Sequence, residues 1–172
     1  MKKVNFLELF RRQRSRPETK FSEEAEAYLR TWRIYDISND VLNQKLVVRL
    51  KLTKPVLAEL KPLHHAVVIT WPYESEDSMP PSDVNQAQLQ FERSLDPLTC
   101  DNGNSESVRV TTGAKVKEWL FYAESTDIFM KGMNDLLKGQ PAFPVKIEFF
   151  NDPDWAIWQE TNYLRDANAP MT

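Results

Sequence analysis

His64 and His65 are the only histidines in the chain, and Cys100 is its only cysteine. Adjacent side chains on an extended segment project to opposite sides, so the two imidazoles are poorly placed to share a metal or a proton. No cysteine or carboxylate stands beside them at ligand spacing, which argues against a zinc site. They read instead as residues that open a strand and hydrogen-bond locally. A single cysteine excludes an intrachain disulfide and any multi-cysteine metal site. Its neighbours Thr99, Asp101, Asn102 and Gly103 supply no base and no positive setting, so an activated thiol is not expected.

Phosphate chemistry is excluded more firmly. The four glycines stand at 103, 113, 132 and 139, and that scatter builds neither a Walker loop nor a dinucleotide fingerprint. No serine sits in a Gly-x-Ser-x-Gly elbow. Carboxylates are plentiful, and Glu118 with Glu148 could flank a scissile bond as acid and base. The plainer reading is a pair of charges at a sheet margin, each partnered by a cation such as Lys117 or Lys146. Arg109, Thr111, Trp119, Tyr122 and Trp71 form an aromatic and cationic set that could stack bases on a sheet face. The Lys/Arg-Gly-aromatic signature of such RNA binders is missing, and large strand aromatics usually belong to the core. No catalytic residue, metal ligand or cofactor is therefore assigned.

The bulk numbers permit one domain with an appendage, since 172 residues with 41% apolar and 11% aromatic content can bury a sizeable core. Four glycines against eleven prolines exclude collagen-like and glycine-rich disordered classes. No apolar run approaches the roughly 20 residues of a membrane span. Charge also returns within Met1–Glu8 before a signal-peptide apolar region can form. A cytoplasmic protein is expected, with no membrane partner. The net charge of −3 is unevenly placed. Seven basic residues (Lys2, Lys3, Arg11, Arg12, Arg14, Arg16, Lys20) against Glu8 and Glu18 make residues 1–20 +5, leaving −8 for the rest. A basic arm on an acidic body suggests self-docking or a partner-facing segment. Such a body repels phosphate, so general nucleic-acid binding is not expected.

Spacing then divides the chain into elements. Val4, Leu7 and Phe10, beside Phe6, predict a short helix ending near Arg16-Pro17. Ser22 as N-cap, Glu23 and Glu24 in the first turn, and inward Ala25, Tyr28, Leu29 and Trp32 predict a second. Leu46, Val48, Leu50 and Leu52 alternate with polar neighbours as a half-buried strand. Ala66 to Trp71 is a continuous apolar run, a strand covered on both faces and ended by Pro72. The acidic, proline-bearing loop from Glu74 to Pro81 is expected to be mobile. Ser82 then caps a helix with Val84, Ala87, Phe91 and Leu95 inward, closed by Asp96-Pro97. A polar loop over 99–106 leads to a strand with Val108, Val110 and Thr112, a turn at Gly113 and a return strand over 115–123. Ser125 opens a helix burying Phe129, Met133, Leu136 and Leu137, which stops at Lys138-Gly139. Phe143, Val145, Ile147 and Phe149 form the last strand. Asp152-Pro153-Asp154 starts a final helix with proline at its first position and Trp155 and Trp158 inward.

The resulting order, ββαββαβ, predicts an α+β fold: a ferredoxin-like split βαβ sandwich with a mainly antiparallel sheet and helices on one face. The organisation reads as a basic helical arm over 1–32, an α+β domain over 33–162 and a flexible tail over 163–172. Val108-Arg109-Val110-Thr111-Thr112-Gly113, then Glu118-Trp119-Leu120-Phe121-Tyr122-Ala123, Val145-Lys146-Ile147 and Asp152-Pro153-Asp154-Trp155 carry a family resemblance. Over roughly residues 30–160 the chain resembles the bacterial domain-of-unknown-function family number 695. That resemblance implies no activity that can be placed on named residues. Some members appear alongside a domain similar to the ribonuclease E regulator B family, a ferredoxin-like protein that inhibits an enzyme by binding it. The functional expectation is a non-catalytic protein-binding module that regulates or inhibits another protein, possible targets including a nuclease. Its contacts are expected on the arm (Phe6, Phe10, Arg11, Arg12), the acidic loop (Glu74, Glu76, Asp77) and the hairpin (Arg109, Trp119). A hydrolase using paired carboxylates is the alternative, and an RNA-binding sheet the third reading.

Overall fold

The computed structural model describes residues 31–39, 44–100, 103–162 and 164. The helices expected within residues 1–30 lie outside them. The sheet starts with β1 (Trp32–Asn39) and β2 (Gln44–Lys51), followed by a single turn of helix, α1 (Leu57–Leu60). Strand β3 (His65–Pro72) leads to the long α2 (Ser82–Cys100), then β4 (Ser105–Gly113) and β5 (Val116–Ala123). Helix α3 (Thr126–Leu137), β6 (Lys146–Asn151) and a short α4 (Ala156–Gln159) complete the order. Every strand pairing is antiparallel, in the order β1-β2-β4-β5-β3-β6. The architecture is α+β, as composition and periodicity predict. Among the described residues no helix is long and apolar enough to cross a membrane.

Strand β1 is an addition to the expected order. Trp32, expected on the inner face of a helix, opens β1 opposite Lys51. From Trp32 to Ile37 the chain is rich in aromatic and β-branched residues, with Arg33 and Asp36 between them, a composition that fits an edge strand once β2 offers a partner. Leu164, assigned to the tail, is buried in the core. Helix α2 runs through Asp96-Pro97 to Cys100 rather than closing there. The last strand begins at Lys146, not Phe143, whose ring packs against Trp71 and Phe91 instead.

Both sheet faces are covered, which corrects the expectation of helices on one face. Val67, Ile69, Trp71, Val110, Trp119, Phe121 and Ala123 pack under Phe91, Leu95 and Leu98 of α2 and Phe129 and Met133 of α3. Val48, Leu50, Ala66, Val68, Val108, Leu120 and Tyr122 pack under Leu63, Trp155, Trp158 and Leu164. Strands β3 and β5 are therefore apolar on both sides, the pattern of buried central strands. Consecutive Val108 and Arg109 both turn to the second face, because a bulge between Ser107 and Arg109 adds a residue to β4.

The β4–β5 turn sets a tight local requirement. Ala114 and Lys115 both have positive φ (49° and 65°), the backbone of a hairpin turn twisted to match its strands. Gly113 precedes them at φ 138°, and a Cβ there would lie 1.9 Å from the Lys45 carbonyl oxygen. Backbone blocks any side chain, so Gly113→Ala should cost about 3 kcal/mol or more. Urea unfolding of the variant checks this, and a loss within experimental error would mean the turn can move away from β2.

Candidate functional site

Helix α2 carries polar groups on the side that lies against the sheet. Gln88, Glu92 and Asp96 recur four residues apart and so form one stripe. Glu92 meets donors from two strands. Arg49 of β2 pairs with Oε1, while Lys117 Nζ (3.1 Å) and Trp119 Nε1 (3.1 Å) of β5 donate to Oε2. Lys117 also lies over the Trp119 ring, 5.1 Å from its centroid. Gln88 is wholly buried, and neither end of its amide has a hydrogen-bond partner.

The surroundings displace these titrations in opposite directions. Burial acts to raise the Glu92 pKa. The charges of Arg49 and Lys117 and the hydrogen bonds from Arg49 and Trp119 outweigh it, holding the carboxyl at about 2. Asp96 is pushed up to about 6, first by burial and then by the Glu92 charge. Burial, opposed by Glu92, lowers the Lys117 ammonium. The result is an ionised carboxylate and a much weaker acid on successive turns of one helix, beside a desolvated lysine.

The other face holds a second polar assembly. Tyr122 donates its hydroxyl proton to Asp152 Oδ2 at 2.5 Å. The same carboxylate accepts the N–H groups of Ala156 (2.7 Å) and Ile157 (3.0 Å) at the start of α4. Trp155 stacks flat on the Tyr122 ring, with centroids 3.8 Å apart and planes 2° from parallel. It does so from a left-handed backbone, φ 62°, that bulky residues seldom adopt. Helix α4 therefore begins at Ala156, and Pro153 belongs to the turn before it rather than to its first position. Burial acts to raise the Asp152 pKa, but its hydrogen bonds from Tyr122, Ile157 and Ala156 hold it below the usual range. Beside this clasp Arg109 binds Glu118 at 2.7 Å and reaches the Ile157 carbonyl at 3.5 Å.

Tyr122 lies some thirty positions before Asp152 and Trp155; all three are among the motif residues that carry the family resemblance, and here they are in mutual contact. A family model, described as a family of unknown function (DUF695), matches residues 30–163. The chain belongs to the DUF695 family. No curated protein and no solved structure matches it.

In this DUF695 chain the expected contact residues fall in different settings. Phe6, Phe10, Arg11 and Arg12 lie outside the described residues. Glu74, Glu76 and Asp77 are all exposed. Their loop, expected to be mobile, is pinned. Ser75 Oγ donates to the Met79 carbonyl at 2.5 Å and accepts from Asp77 N–H at 3.2 Å. Ser78, buried at φ 75°, bridges two other segments. Its hydroxyl donates to the Lys45 carbonyl (3.0 Å) and accepts from the N–H groups of Lys45 (3.1 Å) and Ala114 (2.9 Å). Its carbonyl accepts from Lys115 N–H and the Tyr73 hydroxyl.

Trp119 is only 1% exposed, so its ring cannot form a hairpin contact surface; it is a core residue and a donor to Glu92. Tyr122 and Trp71 are likewise buried, which leaves the base-stacking arrangement without an exposed ring among them. Arg109 faces α4 rather than solvent. Glu118 and Glu148 flank β3 on the same face, two strand spacings across and two residues along, or about 12 Å apart. Each has its own cation, Arg109 for Glu118 and Lys146 for Glu148. His65 opens β3 and His64 stands just before it, where the His64 carbonyl accepts from Asp152 N–H.

Sequence reasoning did not find Arg49, Gln88, Glu92, Asp96 and Lys117. The available signal was polar residues at helical spacing 88-92-96 between Phe91 and Leu95, but nothing in the sequence aligns β2 and β5 beneath them.

Glu92→Gln should cost about 3–5 kcal/mol at neutral pH, because it leaves Arg49 and Lys117 under the helix without their counter-charge. The Glu92 contribution is complete above the unfolded carboxyl value and disappears as pH falls from 4.5 towards about 2. Asp96 has the opposite sign: its raised pKa favours the folded state below 3.8, and that contribution is lost as pH rises to about 6. Asp96→Asn should therefore stabilise the protein by about 1 kcal/mol at neutral pH, a figure reduced for solvent screening, with the gain vanishing in acid. Urea unfolding of both variants across pH checks the two signs.

Proposed function

We propose that the chain is a non-catalytic protein-binding module that regulates or inhibits another protein through its acidic loop. The observation that carries this reading is that Glu74, Glu76 and Asp77 are exposed on a loop fastened from within by Ser75 and Ser78. Charges held in place before binding lose little conformational freedom on docking. A rigid acidic surface also steers a basic partner and rejects acidic ones. A nuclease whose active site is basic fits that chemistry. The pattern of the core supports a ferredoxin-like reading of the fold: β5 lies between β3 and β4, and β3 lies between β5 and β6, with α2 and α3 as the crossovers.

A hydrolase using paired carboxylates is the second reading. One observation favours it: Glu92 and Asp96 titrate far apart on adjacent turns, as an acid and a base of one site would. Glu92, however, already accepts from Arg49, Lys117 and Trp119 and has little capacity left for substrate.

Capture from nuclease-treated native lysate tests the first reading. The full chain should retain a basic protein in stoichiometric amount. With that protein purified, the Glu74→Gln/Glu76→Gln/Asp77→Asn variant should associate about tenfold more slowly at low salt, with the difference shrinking as salt rises. Removal of residues 1–20 tests the arm separately. An unchanged association rate would remove the loop from the contact, and absence of any stoichiometric partner would overturn the module reading.

A further inference from the structure

Strand β6 ends the sheet, and among the described residues no strand pairs with its outer edge. Asp152 N–H donates to the His64 carbonyl at 2.7 Å, which sets the alternation of the ladder. Lys146, Glu148 and Phe150 therefore turn their backbone groups to β3, and those of Ile147, Phe149 and Asn151 point outward. Such a row is a template for another strand.

Lys146 and Glu148 put charges on this edge, but two large apolar rings also stand exposed on it. Phe149 is 40% and Phe150 44% exposed, and they lie on opposite faces, Phe149 beside Val67 and Phe150 beside Ala66. A helix or loop laid on one face would cover one ring and leave the other in water. Only a strand added in the plane of the sheet continues both layers and covers both.

We infer that β6 is a self-pairing edge, joining a second copy of this chain by antiparallel strand addition about a two-fold axis at Phe149. The strand complements itself in that register. Phe149 meets its own counterpart, Ile147 meets Asn151, Glu148 meets Phe150, and Lys146 falls opposite Asp152. No like charges fall opposite each other, and the aromatic pair at the axis is favourable. All the outward backbone groups find partners. Moving the axis to Glu148 instead sets two carboxylates directly opposite each other, which is unfavourable. A two-fold contact also closes on itself and consumes both edges it uses. Two six-stranded sheets then become one continuous sheet. This inference is independent of the acidic-loop reading and uses none of its residues.

Sedimentation velocity of the full chain over a concentration series should show twice the chain mass. Phe149→Pro removes an outward N–H at an edge position that tolerates proline, and should return the monomer with an unchanged circular dichroism spectrum. In a Cys100→Ser background, Phe149→Cys should form a disulfide-linked dimer under mild oxidation, since directly opposed strand residues lie within disulfide reach. Glu148→Cys and Phe150→Cys should cross-link far less. A monomer at every concentration overturns the inference, as does a dimer that survives Phe149→Pro in folded protein. Preferential cross-linking through Glu148→Cys overturns the register. A ladder of higher masses overturns the two-fold contact in favour of pairing between unlike edges, β6 with β1.

Discussion

A carboxylate buried beneath a helix must be met by donors from whatever lies against it, and at Glu92 those donors come from two strands. Arg49 reaches it from β2, and Lys117 and Trp119 reach it from β5. Burying any one of these charges alone would be strongly unfavourable, so the groups are tolerated only together. That condition fixes α2 laterally, over β4 and between its neighbours, more specifically than apolar packing can. Phe91, Leu95 and Leu98 then fill the layer on either side of the ionic contact. Hydrophobic burial holds the helix on the sheet, and Glu92 determines where it sits.

The opposite face is organised by a different economy. Its cover is thin, a single turn of α1, the Leu63 segment and the short α4, and among the described residues no long helix stiffens it. The Tyr122–Asp152 hydrogen bond and the flat stack of Trp155 on Tyr122 tie that cover to a central strand. Asp152 also accepts the first free N–H groups of α4, so one carboxylate both starts the helix and docks it. The left-handed backbone at Trp155 is the cost of turning the indole onto Tyr122. The family motifs therefore describe how the second layer is attached, a structural role that by itself assigns no activity.

A third joint lies where the β4–β5 turn, the start of β2 and the acidic loop converge on Ser78. A hairpin turn with two non-glycine residues at positive φ is strained, and its N–H groups are held by a serine from another segment. The loop that presents Glu74, Glu76 and Asp77 thus shares its anchor with the hairpin. Charge placement on the surface and strain in the sheet are coupled through one buried residue.

Much of the layer structure was legible in the sequence because it is local. Alternation in β2 and β5, the continuous apolar run of β3, the existence of α2, the cap and stop of α3, and the α+β class all follow from periodicity and end signals. The acidic loop and its charges were equally plain. What the sequence could not decide depends on which strands become neighbours. Trp32 reads as helical until β2 offers a ladder; Trp119 reads as a contact residue until α2 covers it. The bulge that turns Val108 and Arg109 to one face leaves no mark in composition. Glu92, Arg49 and Lys117 are unremarkable surface types in the sequence, separated by up to 68 positions, and only the tertiary fold brings them into one desolvated contact. Local chemistry determined the elements; long-range pairing decided which side chains lost their water, and with it which charges matter.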